Sequence, residues 1–290
     1  MKVLVFGGSG QVGQELCQQL TEHGIVFKAP SHKALDIADD KQVAELIARY
    51  QPTMVVNAVG YRDLVKAESE PSKCFAINRD AAASMAAICS KHNITLIHLS
   101  SYLVFDGAKT EPYTEKDTAN PQGVLAGSLW QGEQLIRERC SRHIILRLGW
   151  VVSARRYNLV NTILSQLKQN QEVWVASDRL GNPTPAVDVA AVIIAILYQL
   201  DCEAEVFGTY HYGGVEPVAE SKFAEVLLND AMQYDELPSE KLLVKECNQL
   251  DYLPSHLNAR LSVNKIRDTF GIHAKAWRPA IAKIVKGFYV

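Results

Sequence analysis

The sequence predicts a doubly wound α/β fold, a parallel sheet with helices on both faces, carrying a small C-terminal lobe. Three observations predict it. Short β-branched runs alternate with stretches of helical periodicity through the first half of the chain. A glycine-rich turn follows the first of these runs at once. Of the 290 residues, 48% are hydrophobic, enough for a sizeable core, yet they are dispersed and form no span of membrane length.

Taken in order, Val3 to Phe6 is the first buried strand, and Val12 to Leu20 repeats apolar residues at helical spacing. Ile25 to Phe27 is the second strand, Val43 to Tyr50 a helix, and Met54 to Val56 the third strand. Thr95 to Leu99 and Ile144 to Leu148 are two further strands. After Trp150 the pattern is irregular until a helix from Val187 to Leu200 and a strand from Gly208 to His211. Helices are expected again over Ser221 to Gln233 and Val263 to Phe270, with loops between them. No repeat or low-complexity tract interrupts this order.

Charge and cysteine usage narrow the function classes. The formal net charge is -2 and the basic residues are spread along the chain, so the footprint of a nucleic-acid binder is absent. The opening Met1-Lys-Val-Leu-Val-Phe6 runs straight into a strand without a signal-type apolar region, and a soluble cytoplasmic protein without a membrane partner is expected. Cys17, Cys74, Cys89, Cys140, Cys202 and Cys247 are far apart and unpaired in sequence, which reads as free thiols and not as zinc or disulfide chemistry. No His, Asp or Glu cluster has metal-ligand spacing.

Gly7-Gly-Ser-Gly10-Gln11-Val12-Gly13 sits between the first strand and the first helix, the context in which such a triplet binds a dinucleotide. Gly7 allows the tight turn, Gly10 admits a pyrophosphate, and Gly13 lets the helix pack closely, while the helix N-terminus offers N–H groups and positive potential. The end of the second strand selects the dinucleotide. Phe27-Lys-Ala-Pro-Ser31-His32-Lys33 has no carboxylate for ribose hydroxyls, and Ser31, His32 and Lys33 suit a 2′-phosphate, so NADP(H) is favoured over NAD(H). A solvated loop with an incidental lysine fits the same residues. Residues 1–150, rejoined by 185–215, form the expected dinucleotide-binding unit, and 151–184 with 216–290 the lobe.

Further segments carry a family likeness. Asp36-Ile37, Val55-Val-Asn57-Ala58-Val59-Gly-Tyr61, Lys66-Ala-Glu68, Ile77-Asn78, Ser100-Ser101-Tyr-Leu-Val-Phe105-Asp106-Gly107, Pro112-Tyr113, Arg147-Leu-Gly-Trp150 and Asp178-Arg-Leu-Gly181-Asn-Pro183-Thr184 occur in order along nearly the whole chain. With Pro121-Gln-Gly-Val-Leu125-Ala-Gly-Ser-Leu129-Trp-Gln-Gly132-Glu133, they closely resemble the dTDP-4-dehydrorhamnose reductase family. The resemblance implies a Rossmann fold of the extended short-chain dehydrogenase type. It also implies cofactor contacts from Asp36 and Ile37 beside the adenine and from Asn57, Ala58, Val59, Tyr61 and Asn78.

The same resemblance implies hydride transfer from NADPH to a 4-keto group on a nucleotide-linked deoxysugar. A tyrosine then protonates the alkoxide, a lysine four residues later lowers the tyrosine pKa, and a serine or threonine polarises the carbonyl. Here Leu125 and Leu129 stand at the tyrosine and lysine positions, and only Ser101 remains. Val65, Tyr102-Leu103 and His256-Leu257 depart from the family pattern near the same pocket. Tyr61, Tyr102 and Tyr113 are the candidate substitute acids; Tyr102 points away from the Ser101 face unless the strand has already broken there.

Two functions follow as expectations. One is an NADP(H)-binding pseudoenzyme that also takes a nucleotide sugar, or acts as a regulatory or assembly subunit in the way a relative of this family accompanies methionine adenosyltransferase. The other is a sugar-nucleotide reductase using Ser101 and a non-standard proton donor. Either a homodimer or a different protein partner is compatible with the first.

Overall fold

The computed structural model describes residues 1–250 and 257–290. Its central sheet is built from the apolar runs: β1 (Lys2–Phe6), β2 (Val26–Lys28), β3 (Met54–Asn57), β4 (Thr95–Ser101), β5 (His143–Leu148) and, far along the chain, Gly208–Tyr212. Strand order is the Gly208–Tyr212 strand, then β5, β4, β3, β1 and β2, and every pairing is parallel. Side-chain alternation sends the two faces into separate cores. Val3 and Val5, Met54 and Val56, and Ile97 and Leu99 enter one apolar cluster, while Leu4 and Phe6, Val55, and Leu96 enter the other. Both faces are therefore covered, which is why these runs are continuously apolar.

The first cluster is closed by α1 (Gln11–Glu22) and a long helix at Ala186–Asp201, the second by α2 (Asp40–Tyr50) and a helix at Ala82–Lys91. Asp39 caps α2, its carboxylate accepting the Lys41 and Gln42 N–H groups. Between β3 and β4 the chain forms α3 (Leu64–Ser69), α4 (Pro71–Phe75), a wide helical turn at Ala76–Ala81, and α5 (Ala82–Lys91). The helix that leads into β5 is α6 (Gly123–Arg139).

Beyond β5 lie β6 (Trp150–Val152), α7 (Leu159–Lys168), β7 (Val173–Ala176), β8 (Leu180–Gly181), β9 (Pro183–Pro185), α8 (Ala186–Asp201) and β10 (Gly208–Tyr212). They are followed by β11 (Val218–Ala219), α9 (Glu220–Ala231), β12 (Leu242–Lys245), β13 (Asn258–Ala259), α10 (Asn264–Phe270) and α11 (Arg278–Tyr289). A further core gathers α7, β7, α9 and α11 around the fully buried Phe223 and Trp277. The α10 residues Ile266 and Phe270 instead join the cluster beneath α1 and α8. Chain order reverses between β1 and β3, so the loops leaving these two strands open a crevice, the usual ligand position in such sheets.

Candidate functional site

The glycine turn is dictated by close contacts. Gly7 has φ 85°, and a Cβ there would lie 2.7 Å from the Ala58 carbonyl carbon on the neighbouring strand end. At Gly13 a Cβ would meet the Gly7 carbonyl oxygen at 2.0 Å, so α1 reaches the turn only without a side chain. Gly10 caps α1 and donates its N–H to the Gly7 carbonyl at 2.9 Å. The N–H groups of Gln11, Val12 and Gly13 lie in the first turn of α1, where no helical acceptor exists, and they make an anion-binding end. Val12 is buried in the core beneath them. The Gln11 side chain is engaged within the protein, accepting from Ser153 Oγ at 2.9 Å and donating to the Tyr157 carbonyl at 3.3 Å. It thereby ties the loop after β6 to the turn.

Two buried asparagines shape the opposite wall. Asn57 Oδ1 accepts the Val59 N–H at 3.1 Å, and its Nδ2 donates to His98 Nδ1 at 3.1 Å. Burial holds the His98 pKa down at about 4, so its ring is neutral and serves Asn57 as an acceptor. Asn78 Oδ1 accepts the Tyr61 N–H at 2.8 Å, while its Nδ2 donates to the Tyr61 carbonyl and to Ser128 Oγ. Ala58 and Val59 are thus fixed beside Gly7.

On the far side, the Ser31 carbonyl accepts the Ala34 and Leu35 N–H groups, forming a turn that leaves Ser31, His32 and Lys33 exposed. Asp36 accepts the Ala38 N–H at 3.0 Å, and Ile37 packs half-buried against the core.

On α6, Leu125 and Leu129 lie four residues apart. Leu125 is only 3% exposed and clusters with Ala67, Cys74, Leu103 and Ala126, among the helices and not against the sheet. Leu129 is partly buried and joins this cluster to the one holding Val104, Phe105 and Tyr113. β4 ends at Ser101, and Tyr102 begins a tight helical turn whose first N–H bond, from Leu103, is accepted by Ser101 Oγ at 3.3 Å. The strand has therefore broken at Tyr102, which packs against the same apolar cluster as Leu129. The other two tyrosines are engaged elsewhere: Tyr61 OH donates to Glu70 at 3.2 Å and Tyr113 OH to Asp106 at 2.7 Å. Desolvation, then the neighbouring carboxylate, pushes both phenol pKa values up. Val65 is 73% exposed on α3, and His256 lies outside the described residues.

Two features had weak signals in the sequence. Gly132-Glu133 is a packing device: a Cβ at Gly132 would strike the Asn78 carbonyl at 2.2 Å, and Glu133 is wholly buried. Glu133 accepts from Ser100 Oγ at 2.6 Å, Arg147 at 2.7 Å and Arg137 at 2.6 Å. Burial alone would raise its pKa, yet the two arginines bring it below the ordinary value. The second feature is Arg62, whose Nη2 donates to the Ala58 carbonyl at 3.1 Å. Its only sequence signal is a lone arginine just past the third strand.

The family model described as RmlD substrate binding domain matches residues 1–290. This chain belongs to that family. Among its relatives, the dTDP-4-dehydrorhamnose reductase of Sinorhizobium fredii is 31% identical over 290 residues, covering 98% of this chain and 97% of the relative. The spore coat polysaccharide biosynthesis protein SpsK of Bacillus subtilis is 30% identical over 285 residues, with 98% and 97% covered. In fold, the chain matches the dTDP-4-dehydrorhamnose reductase of Bacillus anthracis, solved in complex with NADP, at a TM-score of 0.88 and 21% identity, covering 98% of each chain. The crevice of this chain thus pairs a glycine turn with a wall braced by two buried asparagines.

Proposed function

We propose that this RmlD-family chain binds a nicotinamide dinucleotide, NADP(H) before NAD(H), without standard reductase turnover, and that it serves as a cofactor- or sugar-nucleotide-binding regulatory or assembly protein. The cradle fits the group: a Cβ at Gly10 meets only the Gly7 carbonyl oxygen, at 3.2 Å, leaving the outer side of the turn clear. Gly7, Gly10, Gln11, Val12 and Gly13 hold the pyrophosphate side. Ser31, His32 and Lys33 take the 2′-phosphate, Asp36 and Ile37 the adenine side, and Asn57, Ala58, Val59, Tyr61 and Asn78 the inner wall. When bound, the reduced dinucleotide supplies a hydride.

The observation that carries the reading is the packing of Leu125 with Leu103 and of Leu129 beside Tyr102, which leaves the α6 face with neither an acid nor a cation. Ser101 can still donate a hydrogen bond to a carbonyl, but a serine hydroxyl is a poor proton source at neutral pH. NADPH oxidation should be assayed with dTDP-4-keto sugars beside a competent relative, together with calorimetric titration of the dinucleotides. The expected result is tighter binding of NADPH than NADH and a rate lower by at least about 10²- to 10⁴-fold. Turnover near that of the relative would instead support a reductase with Tyr102, next to Ser101 at the broken strand end, as its proton donor.

A further inference from the structure

The loop between β6 and α7 turns its backbone inward. Asn158 Nδ2 donates to the Ser153, Arg155 and Arg156 carbonyls at 3.0 to 3.2 Å, Asn161 Nδ2 to the Ala154 and Arg156 carbonyls, and Gln11 Nε2 to that of Tyr157. Every carbonyl from 153 to 157 is thus taken by a side chain, and Arg156 is held at φ 68°. A residue with a side chain persists in the left-handed region only where its surroundings over-determine it. What this frame presents to solvent is Arg155, Arg156 and Tyr157, the last 79% exposed. Among the described residues six other arginines hold ion pairs, and these two hold none. Arg155 lies close enough to α1 for its charge to act on Glu15, so Arg156 is the freer of the two.

The other end of α7 carries the complement. A pocket of about 350 Å³ is lined there by Leu167 and Lys168 and by the segment Asp235 to Pro238 that follows α9. The Asp235 N–H is bonded to the Ala231 carbonyl, so the C-terminal ends of α7 and α9 both add negative potential to it. Lys168 is already met: its Nζ lies 3.8 Å from Asp235 and 5.1 Å from the centre of the Tyr289 ring. Glu236 is exposed and holds no ion pair among the described residues. An aliphatic wall beneath carboxylates suits the stem and head of an arginine. Between the two ends, the partly exposed residues of α7, Leu159, Asn161, Thr162, Ser165 and Gln166, carry no charge.

We infer that α7 is the centre of an interface between two copies of this chain, laid antiparallel about a two-fold axis, with Arg156 of each copy seated in the acidic pocket of the other. The charge order along the helix decides the arrangement. An antiparallel pair meets a basic end with an acidic end twice and opposes the helix dipoles, whereas a parallel pair sets like charges together. With 10 residues, α7 is about 15 Å long, so both contacts fall within one patch. Tyr157, beside Arg156 on the same braced loop, supplies a rigid aromatic anchor. The inference is independent of dinucleotide binding.

The test is sedimentation equilibrium of the full chain at low and high salt, comparing wild type, R156E, E236R and an equal mixture of the two variants. Wild type should approach twice the monomer mass as its concentration rises, and associate less tightly in high salt. Each variant alone sets like charges together at both contacts, so its self-association should weaken by about 100-fold or more. The mixture restores opposite charges at both contacts and should dimerise again. Since both side chains are exposed, the thermal midpoints of the variants should match wild type. R156G, which suits the left-handed backbone, removes the charge while keeping the loop and should also weaken the dimer. A wild type that stays monomeric, a mass that climbs past the dimer, dimers that persist in the variants, or a mixture that fails to recover would each overturn the inference.

Discussion

At Gly10 and Gly13 the same substitution has opposite consequences, because one position is open on the outer side of the turn and the other faces the protein. Gly10→Leu places its side chain over the turn, so the fold should persist while dinucleotide no longer raises the thermal midpoint. In the wild type, dinucleotide at about 100 times its dissociation constant should contribute about 2.7 kcal/mol of stabilisation. Gly13→Ala should instead lower the midpoint without ligand, since its Cβ has backbone 2.0 Å away. A thermal-shift series on both variants separates these outcomes; an unchanged ligand response in Gly10→Leu would place the pyrophosphate elsewhere. Glu133 is a residue of the second kind. Glu133→Gln leaves Arg147, itself buried, without its anion, and should cost about 3 to 5 kcal/mol in denaturant unfolding. A loss well under about 1 kcal/mol would show that water or Ser100 compensates.

Within α6 the two kinds of residue are interleaved. Ser128, Gly132 and Glu133 bind the helix to Asn78 and Arg147, so these members of the reductase-like segment are held by packing whatever chemistry the helix performs. Leu125 and Leu129 on the same helix answer only to their apolar neighbours. Restoring the family pattern by Leu125→Tyr with Leu129→Lys returns a phenol and an ammonium at helical spacing. The phenol must enter a site occupied by Ala67, Cys74 and Leu103, and overpacking of this kind costs about 1 to 3 kcal/mol. The double variant is therefore expected to be less stable, to bind NADPH, and still to reduce no dTDP-4-keto sugar, because catalysis also requires positioning. Turnover close to that of a competent reductase would show that the sugar side of the pocket is intact and that two side chains alone silenced it.

For the molecule as a whole, acid sensitivity follows from three histidines buried in the sheet, His98, His211 and His143, the last with its pKa also lowered by burial. Burial holds His98 at about 4, and burial followed by the Arg147 charge holds His211 at about 3, against 6.5 when unfolded. Glu133 pulls both the other way, without reversing either shift. A histidine with a depressed folded pKa leaves the unfolded state binding more protons below pH 6.5, so stability is full above that value and falls as pH drops toward 4. The slope is up to about 1.4 kcal/mol per pH unit for each histidine. Urea midpoints taken from about pH 7 down to about pH 5 should decline, and His98→Asn should flatten that decline. A flat profile in the wild type would mean that these rings are protonated inside the fold.

The sequence by itself determined the sheet and the glycine turn beside its crevice. Strand runs buried on both faces must be continuously apolar, and a glycine triplet between strand and helix has few other uses, so β1, β3, β4, β5 and the turn at Gly7 to Gly13 were legible from local pattern. The family resemblance also set the expectation of an exchange at Leu125 and Leu129, because spacing on a helix is local. Tertiary structure decided what no local pattern encodes: that Gly132 exists for the Asn78 carbonyl and that Gln11 holds a loop more than a hundred residues away. It also decided that Tyr61 and Tyr113 spend their hydroxyls on Glu70 and Asp106, and that Arg62 turns back onto the Ala58 carbonyl. The physical reason is range. Periodicity and turn chemistry act over a few residues, whereas ion pairing, desolvation and close backbone approach depend on which distant segments the fold brings together.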